Sequence, residues 1–108
     1  MSENVQLIVY PAKDLEASKR FFSAFLGAAP YADTPYYVGF KAGDMEIGLD
    51  PQGPEIIAYV DVRDVRESLK SMLEAGASVF QDVKDIGYGM LIAQVKDANG
   101  NVLGLRQK

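Results

Sequence analysis

The sequence predicts an α+β fold: two βαβββ modules in tandem, their strands forming a curved mixed sheet around a cleft with the helices outside. Three observations lead there. The stretch Leu7-Ile8-Val9-Tyr10-Pro11-Ala12-Lys13-Asp14 aligns without a gap over Ile57-Ala58-Tyr59-Val60-Asp61-Val62-Arg63-Asp64. Each of these aspartates opens a helix-like stretch, ending near Gly27 in one half and near Gly76 in the other. Each half then closes on a similar strand, Gly43-Asp44-Met45-Glu46-Ile47-Gly48-Leu49 and Gly100-Asn101-Val102-Leu103-Gly104-Leu105. Duplication of this kind marks two similar units sharing one core. At 108 residues they make a single domain, with module one over 5–50, a linker over 51–55 and module two over 56–107.

The elements follow in order. Residues 5–10 are apolar and β-branched, a strand covered on both faces and ended by Pro11. Asp14 is an N-cap; Leu15, Phe22, Phe25 and Leu26 recur at helical spacing, and Gly27 is the stop. Pro30 and Pro35 punctuate a loop. Strands are expected around Tyr31-Ala32, over 36–40 and over 45–50, the last two joined by a Gly43-Asp44 turn. Asp50-Pro51-Gln52-Gly53-Pro54 separates the repeats, and residues 56–62 are the next strand. Asp64 with Glu67 is a capping-box-like start for a helix whose apolar stripe is Val65, Leu69, Met72 and Leu73, closed by Gly76. Strand signals return over 78–83, 90–95 and 102–106, with Asn99-Gly100 as a hairpin turn.

Composition excludes several classes of function. Hydrophobic residues make up 48% of the chain, enough for a core. The net charge of −4 is scattered, and nothing forms the basic stripe that phosphate binding requires, so nucleic acid is not an expected partner. The chain has no cysteine and no histidine. That removes disulfides, thiol catalysis, thiolate metal sites, the usual general base near neutral pH and the commonest transition-metal ligand. No apolar run approaches the roughly 18 residues of a membrane span, so no membrane is expected and the protein reads as cytoplasmic. No phosphate loop or nucleophile elbow is present, and Asp97-Ala98-Asn99-Gly100-Asn101 lacks the spacing and final glutamate of a calcium loop.

Lys13-Asp14-Leu15-Glu16-Ala17-Ser18-Lys19-Arg20-Phe21-Phe22, ending Phe25-Leu26-Gly27, resembles the opening of the glyoxalase/bleomycin-resistance/extradiol-dioxygenase proteins, the vicinal oxygen chelate (VOC) superfamily. Lys96-Asp97-Ala98-Asn99-Gly100-Asn101 resembles that family's Asp-Pro-Asp-Gly-Asn turn, and the likeness covers nearly the whole chain. The resemblance implies paired βαβββ modules with a cleft between them. Members that do metal chemistry place one ligand, usually His, Glu or Gln, on the first and last strand of each module. Carried over, those positions are Leu7 and Gly48 in module one, and Ile57 and Gly104 in module two. Two aliphatic residues and two glycines cannot coordinate a divalent ion, so the resemblance is to a member lacking the metal ligands, with no cofactor expected. A register slip would bring Glu46 or Asp50 inward, and one carboxylate is still a poor site.

If those four positions face the cleft, alternation also turns Val9, Glu46, Tyr59 and Arg106 toward it. Ile8, Tyr10, Ile47, Leu49, Ala58, Val60, Leu103 and Leu105 then pack under the helices. Gly48 and Gly104 leave room for a ligand or a close backbone approach, or ease sheet curvature. Tyr31, Tyr36, Tyr37 and Phe40 form an aromatic patch that stacks on a planar ligand or packs in a core or dimer interface, and Tyr37 is taken as a ligand contact. Tyr88, between Gly87 and Gly89, sits on a loop that folds over a ligand or makes a turn. Glu46 and Arg106 form either a polar pair that orients a substrate or ordinary strand-end charges. Three readings stay open: a metal-independent binding protein for a small organic ligand, an enzyme of the same fold (lyase, isomerase or dioxygenase-like) with displaced catalytic residues, and an interaction module with a self-filled cleft. The resemblance, with the aromatic surplus around residues 31–40, implies a homodimer that covers the strand edges, and Pro-rich loops are the alternative cover for those edges.

Overall fold

The computed structural model describes residues 4–108. Module one runs β1 (Val5–Pro11), α1 (Leu15–Leu26), β2 (Ala32–Asp33), β3 (Val38–Ala42) and β4 (Met45–Asp50). Module two repeats the pattern as β5 (Ile57–Asp61), α2 (Val65–Glu74), β6 (Ser78–Gly87), β7 (Met90–Lys96) and β8 (Val102–Gln107). One compact unit is Gln6–Ile56, and the other holds Ile57–Lys108. The strand order is β2-β3-β4-β1 in the first module and β5-β8-β7-β6 in the second. In each, the first and last strands pair in parallel and the remaining pairs are antiparallel. The registers repeat as well: Val9 lies opposite Gly48, and Tyr59 opposite Gly104. This is the predicted α+β class of tandem βαβββ modules.

The helices start and stop where their end residues dictate. Asp14 Oδ1 accepts from the Ala17 amide at 3.1 Å, satisfying one of the orphan donors of the first turn of α1. Gly27, at φ 65°, closes that helix by donating to the Ser23 carbonyl. Asp64 Oδ1 takes the Arg66 and Glu67 amides of α2, and the Val65 amide donates to Gln107 Oε1 at 2.9 Å. Beyond α2, Ala75 is the cap and Gly76 supplies the positive φ. Among the described residues no helix is long and apolar enough to cross a membrane.

Each helix covers one face of its own sheet. Under α1 lie Ala12, Val38, Phe40, Ile47 and Leu49, packed with Ile8, Tyr10, Leu15, Phe22 and Leu26. Under α2 lie Val62, Val65, Leu69, Ala93, Val95 and Leu105, packed with Val60 and Met72. Alternation thus placed Ile8, Tyr10, Ile47, Leu49, Val60 and Leu105 on the helix side.

Several expected core residues are exposed. Phe25 is 76% exposed and Leu73 41% exposed. Leu15, Phe22 and Leu26 recur every seven and four residues and form one stripe; Phe25 lies about a quarter turn off it, as Leu73 does on α2. Leu103 is 48% exposed, one inward-facing row along β8 from the buried Leu105. Strand bounds also moved. The strand expected over 36–40 starts at Val38, because Thr34 Oγ1 accepts from the Tyr36 and Tyr37 amides and holds a turn there. β6 extends to Gly87 through three register shifts, the irregularity that protects an exposed edge.

Candidate functional site

With one face of each sheet under a helix, the candidate site residues fall on the opposite faces. In module one that face carries Leu7 and Val9 from β1 and Glu46 and Gly48 from β4, with Leu7 and Gly48 buried. The β3–β4 hairpin sets Gly39 opposite Gly48 and Lys41 opposite Glu46. Both glycines are needed for space. A Cβ at Gly48 would run into the Tyr37 hydroxyl, and one at Gly39 would lie 2.9 Å from the Tyr31 ring. Tyr31 Oη donates to Glu46 Oε1 at 2.6 Å, and Lys41 Nζ stands 3.9 Å from the same oxygen. That ammonium also lies 4.7 Å from the centre of the Tyr31 ring.

Module two builds a parallel arrangement from different chemistry. Its helix-free face carries Ile57 and Tyr59 from β5 and Gly104 and Arg106 from β8, all buried. The Tyr59 ring occupies the space beside Gly104, where any Cβ would meet it. Its hydroxyl accepts from Gln94 Nε2 at 2.7 Å, the β7 residue paired with Gly104. Arg106 lies opposite Asp61 and grips it in a fork, Nε to Oδ1 at 2.6 Å and Nη2 to Oδ2 at 3.2 Å. Lys108 Nζ adds a contact to Asp61 at 3.4 Å. Partial burial alone would push the Asp61 carboxyl up; the hydrogen bond and charge of Arg106, joined by Lys108, outweigh it and hold the group below the ordinary carboxylate range.

Each module therefore gathers its own candidate residues: Leu7, Val9, Tyr37, Glu46 and Gly48 in the first, Ile57, Tyr59, Gly104 and Arg106 in the second. The room that glycine opens beside the last strand is taken in each module by a tyrosine of the same module. Tyr88 stands elsewhere, fully exposed at the tip of the β6–β7 hairpin. Its φ of 57° between two positive-φ glycines makes a left-handed turn that costs a non-glycine residue roughly 1 kcal/mol. The aromatic patch divides: Phe40 is core, Tyr31 and Tyr37 flank the β4 face, and Tyr36 is exposed.

Lys41, Gln94 and Asp61 were not singled out from sequence. Lys41 was within reach, since residues equidistant from a Gly43-Asp44 turn face each other across the hairpin. Asp61 was not, because its pairing depends on the parallel register of β5 with β8. The Asp97 loop is a hairpin turn, its carboxylate taking the Asn99 and Asn101 amides and the Asn101 side chain. Among the described residues no three His, Cys, Asp or Glu side chains converge as metal ligands. At the four positions to which the resemblance carries metal ligands, Leu7 and Ile57 present only hydrocarbon side chains, and Gly48 and Gly104 present none.

No protein-family model matches the chain, and no curated protein is significantly similar to it in sequence. Solved structures are similar in fold. A hypothetical protein from Bacillus halodurans C-125 has a TM-score of 0.80 at 16% identity, covering 100% of this chain and 96% of that one. A glyoxalase/bleomycin resistance protein/dioxygenase superfamily member from Vibrio splendidus 12B01 has a TM-score of 0.72 at 20% identity, covering 94% and 95%. Streptomyces coelicolor methylmalonyl-CoA epimerase has a TM-score of 0.73 at 16% identity, covering 97% and 94%. At such identities the likeness speaks for the fold alone, the tandem βαβββ arrangement.

Proposed function

We propose that the chain is a metal-independent small-molecule-binding protein of the glyoxalase/bleomycin-resistance type, holding an organic ligand. The observation that carries this reading is the state of the four positions at which metal-using members of the fold place ligands. Leu7, Gly48, Ile57 and Gly104 offer no donor atom, and Tyr37 and Tyr59 stand beside the two glycines. Aliphatic and tyrosyl surface with a few fixed polar groups (Glu46, Gln94 and the Asp61–Arg106 fork) is the composition from which small-molecule sites are built. The test is a thermal-shift scan against metabolites, cationic antibiotics, divalent metals and a chelator. Ligands of the native state raise the melting temperature by mass action. An organic compound should raise it with or without chelator; a rise given only by a metal, and reversed by chelator, would overturn the reading.

One observation favours a second reading, an enzyme with displaced catalytic groups. The 2.6 Å bond between the Tyr31 hydroxyl and Glu46 pairs a proton donor with a carboxylate, the parts a lyase or isomerase needs. Turnover that is lost in Glu46→Gln while binding survives would establish it. A homodimer in the cytoplasm is the expected setting. The exposed Phe21 and Phe25 on α1 are consistent with a self-association surface, and light scattering at micromolar concentration decides between dimer and monomer.

A further inference from the structure

We propose that module one carries a subsite for an organic ammonium group, built by the Tyr31 ring and the Glu46 carboxylate and filled in this structure by the chain's own Lys41. The inference rests on the small-molecule reading above and names the charged group that its ligand carries. Host and guest differ in how firmly they are held. Glu46 is on a strand between two partners, its side chain only 15% exposed, and the Tyr31 hydroxyl bonds it at 2.6 Å. The Tyr31 ring is seated on Gly39, the one residue type that lets it come so close. Ring face and carboxylate are therefore fixed relative to each other before any cation arrives. Lys41 is the loose member, with its side chain 63% exposed and its ammonium 3.9 Å from the carboxylate.

The chemistry of the pair selects its guest. A ring face attracts a cation through its quadrupole, and a poorly exposed carboxylate adds charge attraction that water screens less than at an open surface. Neither offers the ring of oxygens that a hard metal ion demands. The ammonium of Lys41, 4.7 Å from the ring centre, displays the group the subsite accepts. An amine-bearing ligand reaches the same place by displacing a side chain that loses little on swinging into water.

The experiment is a nuclear magnetic resonance titration of the full chain with benzylammonium, matched against the uncharged benzyl alcohol at constant ionic strength. Benzylammonium should bind more tightly than the alcohol and shift the Lys41 side-chain resonances as that ammonium leaves the Tyr31 ring. Lys41→Ala, which removes the competitor from an exposed position, should tighten benzylammonium several-fold. Glu46→Gln, close to isosteric, should weaken it by about three- to tenfold and affect the alcohol less. Equal binding of the two compounds, or indifference to both substitutions, overturns the ammonium subsite while leaving the small-molecule reading intact. If neither compound binds and no organic compound in the thermal-shift panel does, both fall.

Discussion

The two modules share a backbone plan and differ in the chemistry set upon it. Each has a glycine on its last strand with a tyrosine in the space a side chain would fill, Tyr37 at Gly48 and Tyr59 at Gly104. The rings come from different places. Tyr37 precedes β3 and presents only its hydroxyl end to Gly48, whereas Tyr59 rises from β5 and lays its ring carbons against Gly104. Around them, module one sets a carboxylate with a phenol and an ammonium, and module two an amide and a guanidinium fork. Duplication thus preserved the register that packs each helix on its sheet, while the polar groups on the opposite faces went separate ways.

That contrast can be broken by substitution, beginning with the largest effect. Gly104→Ala would drive a Cβ into the ring of a buried tyrosine pinned by its own strand and by Gln94, so melting should report a loss of about 1–3 kcal/mol. The same change at Gly48 meets only the hydroxyl end of a side chain that starts in the loop before β3, and should cost about 1 kcal/mol or less. Equal losses at the two glycines would refute the distinction between the two tyrosines.

Asp61→Asn comes next. It takes charge-assisted hydrogen bonds from the buried Arg106, with an expected loss of about 1–2 kcal/mol because Asp61 is itself partly exposed. Its pH dependence has a definite sign. The folded carboxyl titrates below its unfolded value, so its stabilisation is complete above about pH 4 and fades as pH falls through the folded value. The wild type should show this acid limb in denaturant titrations, and Asp61→Asn should flatten it. Tyr59→Phe is smaller still: the lost Gln94 bond should cost about 1 kcal/mol, more than Tyr31→Phe, whose phenol is half exposed.

How much of this was legible in the sequence depends on the range of the interaction. The gapless repeat and the capping aspartates are local signals, and the tandem modules and both helices followed from them, whereas the parallel registers of β1 with β4 and β5 with β8 emerged only in the folded chain. With Leu7, Gly48, Ile57 and Gly104 placed by the resemblance, alternation then separated Val9, Glu46, Tyr59 and Arg106 from helix-side residues such as Ile8, Tyr10, Val60 and Leu105. Helical periodicity over-reached at Phe25 and Leu73, because it marks an apolar arc and not the width of sheet beneath it. The tyrosines at the glycines were out of reach, since nothing along the chain links position 37 to 48 or 59 to 104. The Tyr31 bond to Glu46 was hidden for the same reason, although the Lys41–Glu46 pairing was implicit in the hairpin turn.

The central claim is that this fold binds an organic ligand without a metal, and calorimetry tests it most directly. Protein stripped with chelator would be titrated with the best organic hit of the thermal-shift scan, then again after loading with zinc, manganese or iron(II). The same affinity and one-to-one stoichiometry in every titration is the result expected of a chain in which Leu7, Gly48, Ile57 and Gly104 offer no side-chain ligand. Binding that appears only after a metal is added, with that metal taken up stoichiometrically, would contradict it.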